Sequence, residues 1–161
     1  MAVVRGKDFK LYRNSDDPYD NTPTWNLVSN VRDLTRNVEK TLADASTRGT
    51  DFRQKVGTMK DLTVDFQMVY DPTDEDYIAF EDAFYDGDVI EDGNIEILIL
   101  DGSIDTVGSK GIRFLGQVTK FTVNEALEDV GLTDVSLTPS YAPTNIPRRV
   151  HVTSPGGVVD L

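Results

Sequence analysis

Apolar and polar residues alternate from Leu62 to Tyr70. Leu62, Val64, Phe66, Met68 and Tyr70 fall on one face of an extended chain, and Thr63, Asp65 and Gln67 on the other. This predicts a strand with one buried face. Trp25 to Arg32 and Val38 to Asp44 carry a weaker form of the same pattern, with Val38 and Leu42 spaced to share a face. Ile95, Ile97 and Ile99 alternate with Glu96, Leu98 and Leu100, so that strand is expected near the centre of a sheet, buried on one side and half-buried on the other. Gly111 to Val123 and Leu132 to Thr138 complete the set, the last ending at Pro139, which cannot continue a ladder. The period of two predicts a mainly β, antiparallel domain.

One segment breaks the alternation. Asp71-Pro72-Thr73-Asp74-Glu75-Asp76 supplies an N-cap, a capping-box-like spacing from Thr73 to Asp76, and acids at the positive end of a helix dipole. Tyr77, Phe80 and Phe84 follow at helical spacing with Ile78 beside them, and Gly87 is placed to end the helix after Asp86. An aromatic stripe of this kind is expected to pack on the sheet. Three stretches lack any period. Asn14 to Thr24 is rich in Asp, Asn and Pro and reads as a loop. Ala45 to Gly57 is long for a hairpin connection, which marks it as a candidate site. Tyr141 to Leu161, with Pro143, Pro147, Pro155, Gly156 and Gly157, reads as an extended arm beyond a domain of residues 1–140.

The chain has 161 residues, enough for one domain with a single core. It contains no Cys and one His, His151, which removes disulfides, thiolate chemistry and two-His metal sites and leaves a Ser-His-Asp triad resting on a tail residue. Asp86-Gly87-Asp88, Glu91-Asp92-Gly93-Asn94 and Asp101-Gly102-Ser103 look like fragments of calcium loops. None has the spacing that encircles an ion, so they read as turns. Gly102 to Gly111 lacks the Lys-Ser/Thr of a phosphate loop. No cofactor and no catalytic residue is expected. Neither a secretory leader nor an apolar run long enough to span a bilayer is visible, so a soluble protein without a membrane partner is expected.

Charge is segregated along the sequence. The net charge is -12, yet residues 1–60 hold eleven of the sixteen basic residues, and from Asp61 to Asp105 there are fifteen acids and no Lys or Arg. Such a block repels nucleic acid, whose binding depends on cationic contacts to phosphate. Within the long loop, Arg48, Arg53 and Lys55 flank Asp51 and Phe52. Cations around an aromatic anchor suit docking onto an acidic partner, and a second copy of this chain is one.

The order of these elements resembles the major tail (tail tube) proteins of long, non-contractile-tailed bacteriophages. The resemblance runs from about Val38 to Thr138. It is carried by the Thr47-Arg48-Gly49 turn, the long loop, Gly57 with Lys60-Asp61, the strand Thr63 to Asp71, the helix Tyr77 to Phe84, the strand at Ile95, and Gly111 to Glu125 leading to Asp134-Val135-Ser136-Leu137-Thr138-Pro139. It implies an antiparallel β-sandwich or split barrel with one flanking α-helix, whose copies form six-membered rings that stack into a tube. It implies, too, that Ala45 to Gly57 reaches between rings and that Asn14 to Thr24 and Tyr141 to Leu161 bridge subunits. The expected partners are further copies of itself, then tail tip, tail terminator and tape measure proteins, in the virion tail and, during assembly, in the host cytoplasm. Double-stranded DNA would pass through without specific binding.

A conduit for a polyanion needs a wall that does not hold phosphate. Asp61, Thr63, Asp65 and Gln67 are therefore the candidates for its lining, extended by Glu39 and Thr41 on the paired strand and by Glu96. Arg48, Asp51, Phe52, Arg53 and Lys55 are the candidates for the contact between rings. The alternative reading is a monomeric β-sandwich carbohydrate-binding module, with Trp25 and the six Tyr residues as stacking platforms. An acidic-site hydrolase has no nucleophile and base pair to support it.

Overall fold

The computed structural model describes residues 3–16, 23–86, 94–125, 127, 130–141 and 146–161. The period-two segments form antiparallel strands: β1 (Lys10–Asn14), β2 (Trp25–Leu27), β3 (Val31–Asp44), β4 (Lys55–Val69), β5 (Asn94–Leu100), β6 (Lys110–Asn124), β7 (Leu132–Pro139), β8 (Arg148–Ser154) and β9 (Gly157–Asp160). They belong to one sheet in the order β2-β1-β5-β6-β7-β4-β3. The sheet forks at β6. Its second half, Gly116 to Asn124, pairs with β7, whereas Lys110 to Arg113 pair with β8, which carries β9 on its far edge. At the fork the backbones approach so closely that a Cβ on Gly111 would lie 1.7 Å from the carbonyl oxygen of Ile99. No larger residue fits there without moving a strand.

The single described α-helix, α1 (Glu75–Tyr85), lies on one face of the sheet with Tyr77, Phe80 and Ala83 buried. Its start differs from the expected capping box. Asp74 is the N-cap and accepts from the Asp76 amide, while Thr73 donates its amide and hydroxyl to Asp71. These two hydrogen bonds hold the Asp71 carboxyl below its ordinary range. Gly87 lies outside the described residues. Phe80 meets Phe66 edge-on at 5.3 Å between ring centroids, and Tyr77 meets Phe121 at 5.6 Å. Tyr77 shares a hydrogen bond of 3.0 Å with the buried Thr133 hydroxyl, and burial pushes the Tyr77 phenol up, keeping it neutral. With Leu11, Val64, Met68, Ile97, Ile99, Phe114, Val135 and Leu137 these residues form the main core. Each such side chain contributes about 1.5–3 kcal/mol on burial.

A second, smaller core lies on the opposite face of β1 and β5. Tyr12, Leu98 and Leu100 pack there against Val150 and Val152 of β8. Two expectations are corrected by this. β5 is buried on both faces from Ile95 to Leu100, where one face was expected to be only half-buried. Residues 148–160 do not form a free arm: they are a hairpin that covers the second core, because Val150 and Val152 alternate onto it. Residues 142–145, and 17–22 in the loop expected at Asn14 to Thr24, lie outside the described residues. The first strand, β1, carries no period-two signature, since Leu11 and Tyr12 are adjacent and each is buried in a different core.

Candidate functional site

β3 and β4 are much longer than the sheet needs. β4 pairs with β7 only from Val64 to Val69, yet its pairing with β3 continues back through Leu62, Asp61 and Lys60 to Lys55. Among the described residues, Arg36–Asp44 and Lys55–Thr63 thus form a two-stranded stem held by its own ladder. At a rise of ~3.3 Å per residue it projects about 30 Å from the body. A bulge marks its base: Arg32 pairs with Gln67 and Thr35 with Asp65, so residues 33 and 34 share one opposing residue, with Asp33 in the left-handed region at φ 50°. Leu34 is thereby turned onto the main core. Β-bulging recurs between Lys40 and Leu42.

The stem has two unlike faces. Cross-strand partners share a side, so Glu39 with Asp61, Asn37 with Thr63, and Thr35 with Asp65 line one face. That face continues across the body through Ser136 opposite Asp65 and Asp134 opposite Gln67. The Ser136 hydroxyl donates to the Asp65 carboxylate. Six of the expected lining residues, Asp61, Thr63, Asp65, Gln67, Glu39 and Thr41, are accordingly brought together on one polar surface. It is acidic only in excess, because Arg32 opposite Gln67 and Lys120 opposite Ser136 stand on it as well. The reverse face of the stem carries Arg36, Val38 opposite Leu62, and Lys40 opposite Lys60. Two like charges directly across a ladder disfavour the stem in isolation.

Glu96 does not belong to that surface. Its side chain is fully buried, held by Arg113, whose Nε donates to Oε1, and by Asn14, whose Nδ2 donates to Oε2 at 2.9 Å. Strand parity put Glu96 on the right side of the sheet, but the side chains of Asn14 and Arg113, with Trp25 against the latter, enclose it there. Arg113 in turn stands over the Trp25 ring, 5.1 Å from its centroid. One side of the Trp25 indole is therefore taken, which weakens the sugar-stacking alternative.

At the tip, the connection between β3 and β4 is shorter than expected, 45–54, since Lys55, Val56 and Gly57 are already in β4. Its backbone is tied locally: the Ala45 amide donates to the Gln54 carbonyl, the Gln54 amide to the Ser46 hydroxyl, and the Thr50 hydroxyl to the Phe52 carbonyl. Two hydrogen bonds from Ser46 hold the Asp44 carboxyl below its ordinary range. Arg48, Asp51, Phe52, Arg53 and Lys55 are all exposed, Phe52 at 82%. Met59 is 75% exposed on the stem, with Val38, Leu42 and Val56 also open. Of the stem, Val38 to Asp44 was legible as a weak strand, whereas Lys55 to Gly57 was read as part of the loop, because the outer strands alternate weakly where neither face is buried by the chain itself. Among the described residues, no three His, Cys, Asp or Glu side chains are grouped to hold a metal ion.

No protein-family model and no curated protein sequence matches this chain. Solved structures do match its fold. The tail of an empty gene transfer agent particle, determined with C6 symmetry, superposes with a TM-score of 0.64 at 14% identity, covering 87% of this chain and 96% of that one. The SPP1 tail tube, a hybrid solid-state NMR and cryo-electron microscopy structure, gives 0.71 at 11% identity over 96% and 82%. A chain from the six-fold symmetrised baseplate of the anti-feeding prophage gives 0.57 at 9% identity over 94% and 98%. The fold is that of phage tail tube structures.

Proposed function

We propose that this chain is a structural subunit whose copies assemble into stacked hexameric rings, forming a tail tube through which DNA is delivered. The observation that carries this reading is the projecting stem. A two-stranded ribbon is marginal in water by itself, and this one adds exposed Val38, Leu42, Phe52, Val56 and Met59 to an uncompensated Lys40 and Lys60 pair. Such an element is suited to burial against another copy. The fold shared with assembled tails supports the same conclusion, and β3, whose outer edge is unpaired among the described residues, offers a second route to association. In this role the protein is not an enzyme. It resides in the virion tail after assembly in the host cytoplasm, with tail tip, terminator and tape measure proteins as partners.

Electron microscopy of the concentrated, purified chain, alone and with a tail tip complex, tests the proposal. Rings or tubes are expected; a strict monomer under every condition would overturn it.

The polar face bearing Glu39, Asp61 and Asp65 is assigned to the lumen, where excess acid keeps phosphate from binding the wall. Asp65→Lys, which also removes the acceptor of Ser136, is expected to leave tubes intact by microscopy and to slow DNA delivery, with the defect shrinking as salt screens the new charge. Normal delivery at low salt would remove this face from the lumen.

A further inference from the structure

A groove of about 850 Å³ lies between the segment leading into β1 and the one leading from β2 into β3. Its floor is apolar, made of Leu11, Val28, Leu34 and Ile99, and the exposed Phe9 and Leu27 stand at its edge. Its rim is cationic: Lys7, Lys10, Arg32 and Arg36 line it, with Asp33 the acid among them. None of these four cations makes an ion pair among the described residues. An apolar trough ringed by unpaired cations suits an acidic surface that exposes apolar side chains. The stem tip, with Arg48, Arg53 and Lys55 around Phe52, has the wrong sign for it.

Helix α1 presents such a surface. While Tyr77 and Phe80 face the core, Glu75, Ile78, Glu81, Asp82 and Tyr85 recur at the three- and four-residue spacing of one outward stripe. Ile78 and Tyr85 are exposed, Tyr85 at 67%. Glu75, Glu81 and Asp82 make no ion pair among the described residues, in contrast to Asp76, which holds Arg13. The face assigned to the lumen does not use these acids, because α1 packs on Phe66, across β4 from Asp65 and Gln67. Nor has the helix a basic neighbour in sequence, since no Lys or Arg lies from Asp61 to Asp105, whereas the groove draws all four of its cations from residues 1–60. One copy cannot join the two surfaces. The burial of Tyr77 and Phe80 fixes α1 with the stripe turned away from its own body, and no α1 residue lines the groove. A second copy can supply the stripe. The two surfaces differ, so the contact runs head to tail, and such a contact, repeated, closes a ring when its rotation allows.

We propose that the cationic groove receives the outward stripe of α1 from a neighbouring copy, with Ile78 and Tyr85 toward its apolar floor and Glu75, Glu81 and Asp82 against Lys7, Lys10, Arg32 and Arg36. This deepens the tube reading and rests on it: it assigns a contact between copies that is separate from the stem tip. The test is charge exchange in the full chain, scored by the concentration at which rings or tubes form, with circular dichroism and the melting temperature confirming the fold. Lys10→Glu with Arg36→Glu reverses the groove, and Glu81→Lys with Asp82→Lys reverses the stripe. Each pair is expected to raise the threshold ~10-fold or more, because like charges then meet across the contact. An equimolar mixture of the two variants is expected to assemble near the wild-type concentration. The acidic groove of the first accepts the basic stripe of the second, and the native groove of the second accepts the native stripe of the first, so the copies alternate around an even-membered ring. Ile78→Asp addresses the apolar half and is expected to raise the threshold likewise. Folded variants that assemble as the wild type does, or a mixture no better than its components, would overturn the groove assignment while leaving the tube reading in place. A wild-type chain that never assembles would overturn both.

Discussion

Replacing Arg113 by alanine is expected to lower the stability of the folded chain by about 3–5 kcal/mol, the usual consequence of stripping the partner from a buried charge. The Glu96 side chain is fully shielded from solvent and Arg113 nearly so, and Asn14 alone would be left to satisfy the carboxylate. The contact of the guanidinium with Trp25 is lost in the same step. Denaturant unfolding followed by Trp25 fluorescence measures this as a lower midpoint at an unchanged slope. Arg113→Met combined with Glu96→Leu removes both charges at similar volume and is expected to recover most of the loss. A drop below ~1 kcal/mol for the single variant would mean that water reaches the pair, contrary to its burial beside Asn14 and Trp25.

Deleting Arg48–Lys55 is expected to abolish assembly while sparing the fold. The shortened chain can still close Ala43 against Val56 through Asp44–Thr47, and none of the removed residues contributes to either core. Circular dichroism and the melting temperature should therefore stay close to wild type, while rings and tubes disappear from micrographs. Phe52→Ser is a milder form of the same experiment, since the ring is exposed in the lone chain and burying it elsewhere is worth up to about 3 kcal/mol. Unimpaired tubes from the deletion variant would detach the tip from the contact between copies.

The parts of this molecule that were legible in the sequence are those whose environment the chain supplies for itself. Leu62 to Tyr70 alternates because one side of β4 meets the core and the other meets water. The stripe of Tyr77 and Phe80 announced α1 for the same reason. Elements that serve two environments were not legible. β1 places neighbouring residues in different cores, and the β8 strand is short and flanked by Pro147 and Pro155, so that composition masked the alternation of Val150 and Val152. Of the site, Asp61, Thr63, Asp65 and Gln67 were placed on one face by parity alone, whereas Glu96, of the right parity, is withdrawn from solvent by Asn14 and Arg113, side chains distant in sequence that meet it only in three dimensions.

The stem also bears on how quickly copies find one another. Past Leu62, the last stem residue in the main core, it is braced among the described residues by its own rungs, so its outer part can change the angle at which it leaves the body. A lever of that reach sweeps a wide volume and can make first contact in many orientations, after which each further rung that settles on a neighbour narrows the search. Immobilising it consumes part of the contact energy, so an incoming copy held by the tip alone should depart readily. Error correction is then inherent in the geometry, for a misplaced copy leaves before the rest of its surface has closed.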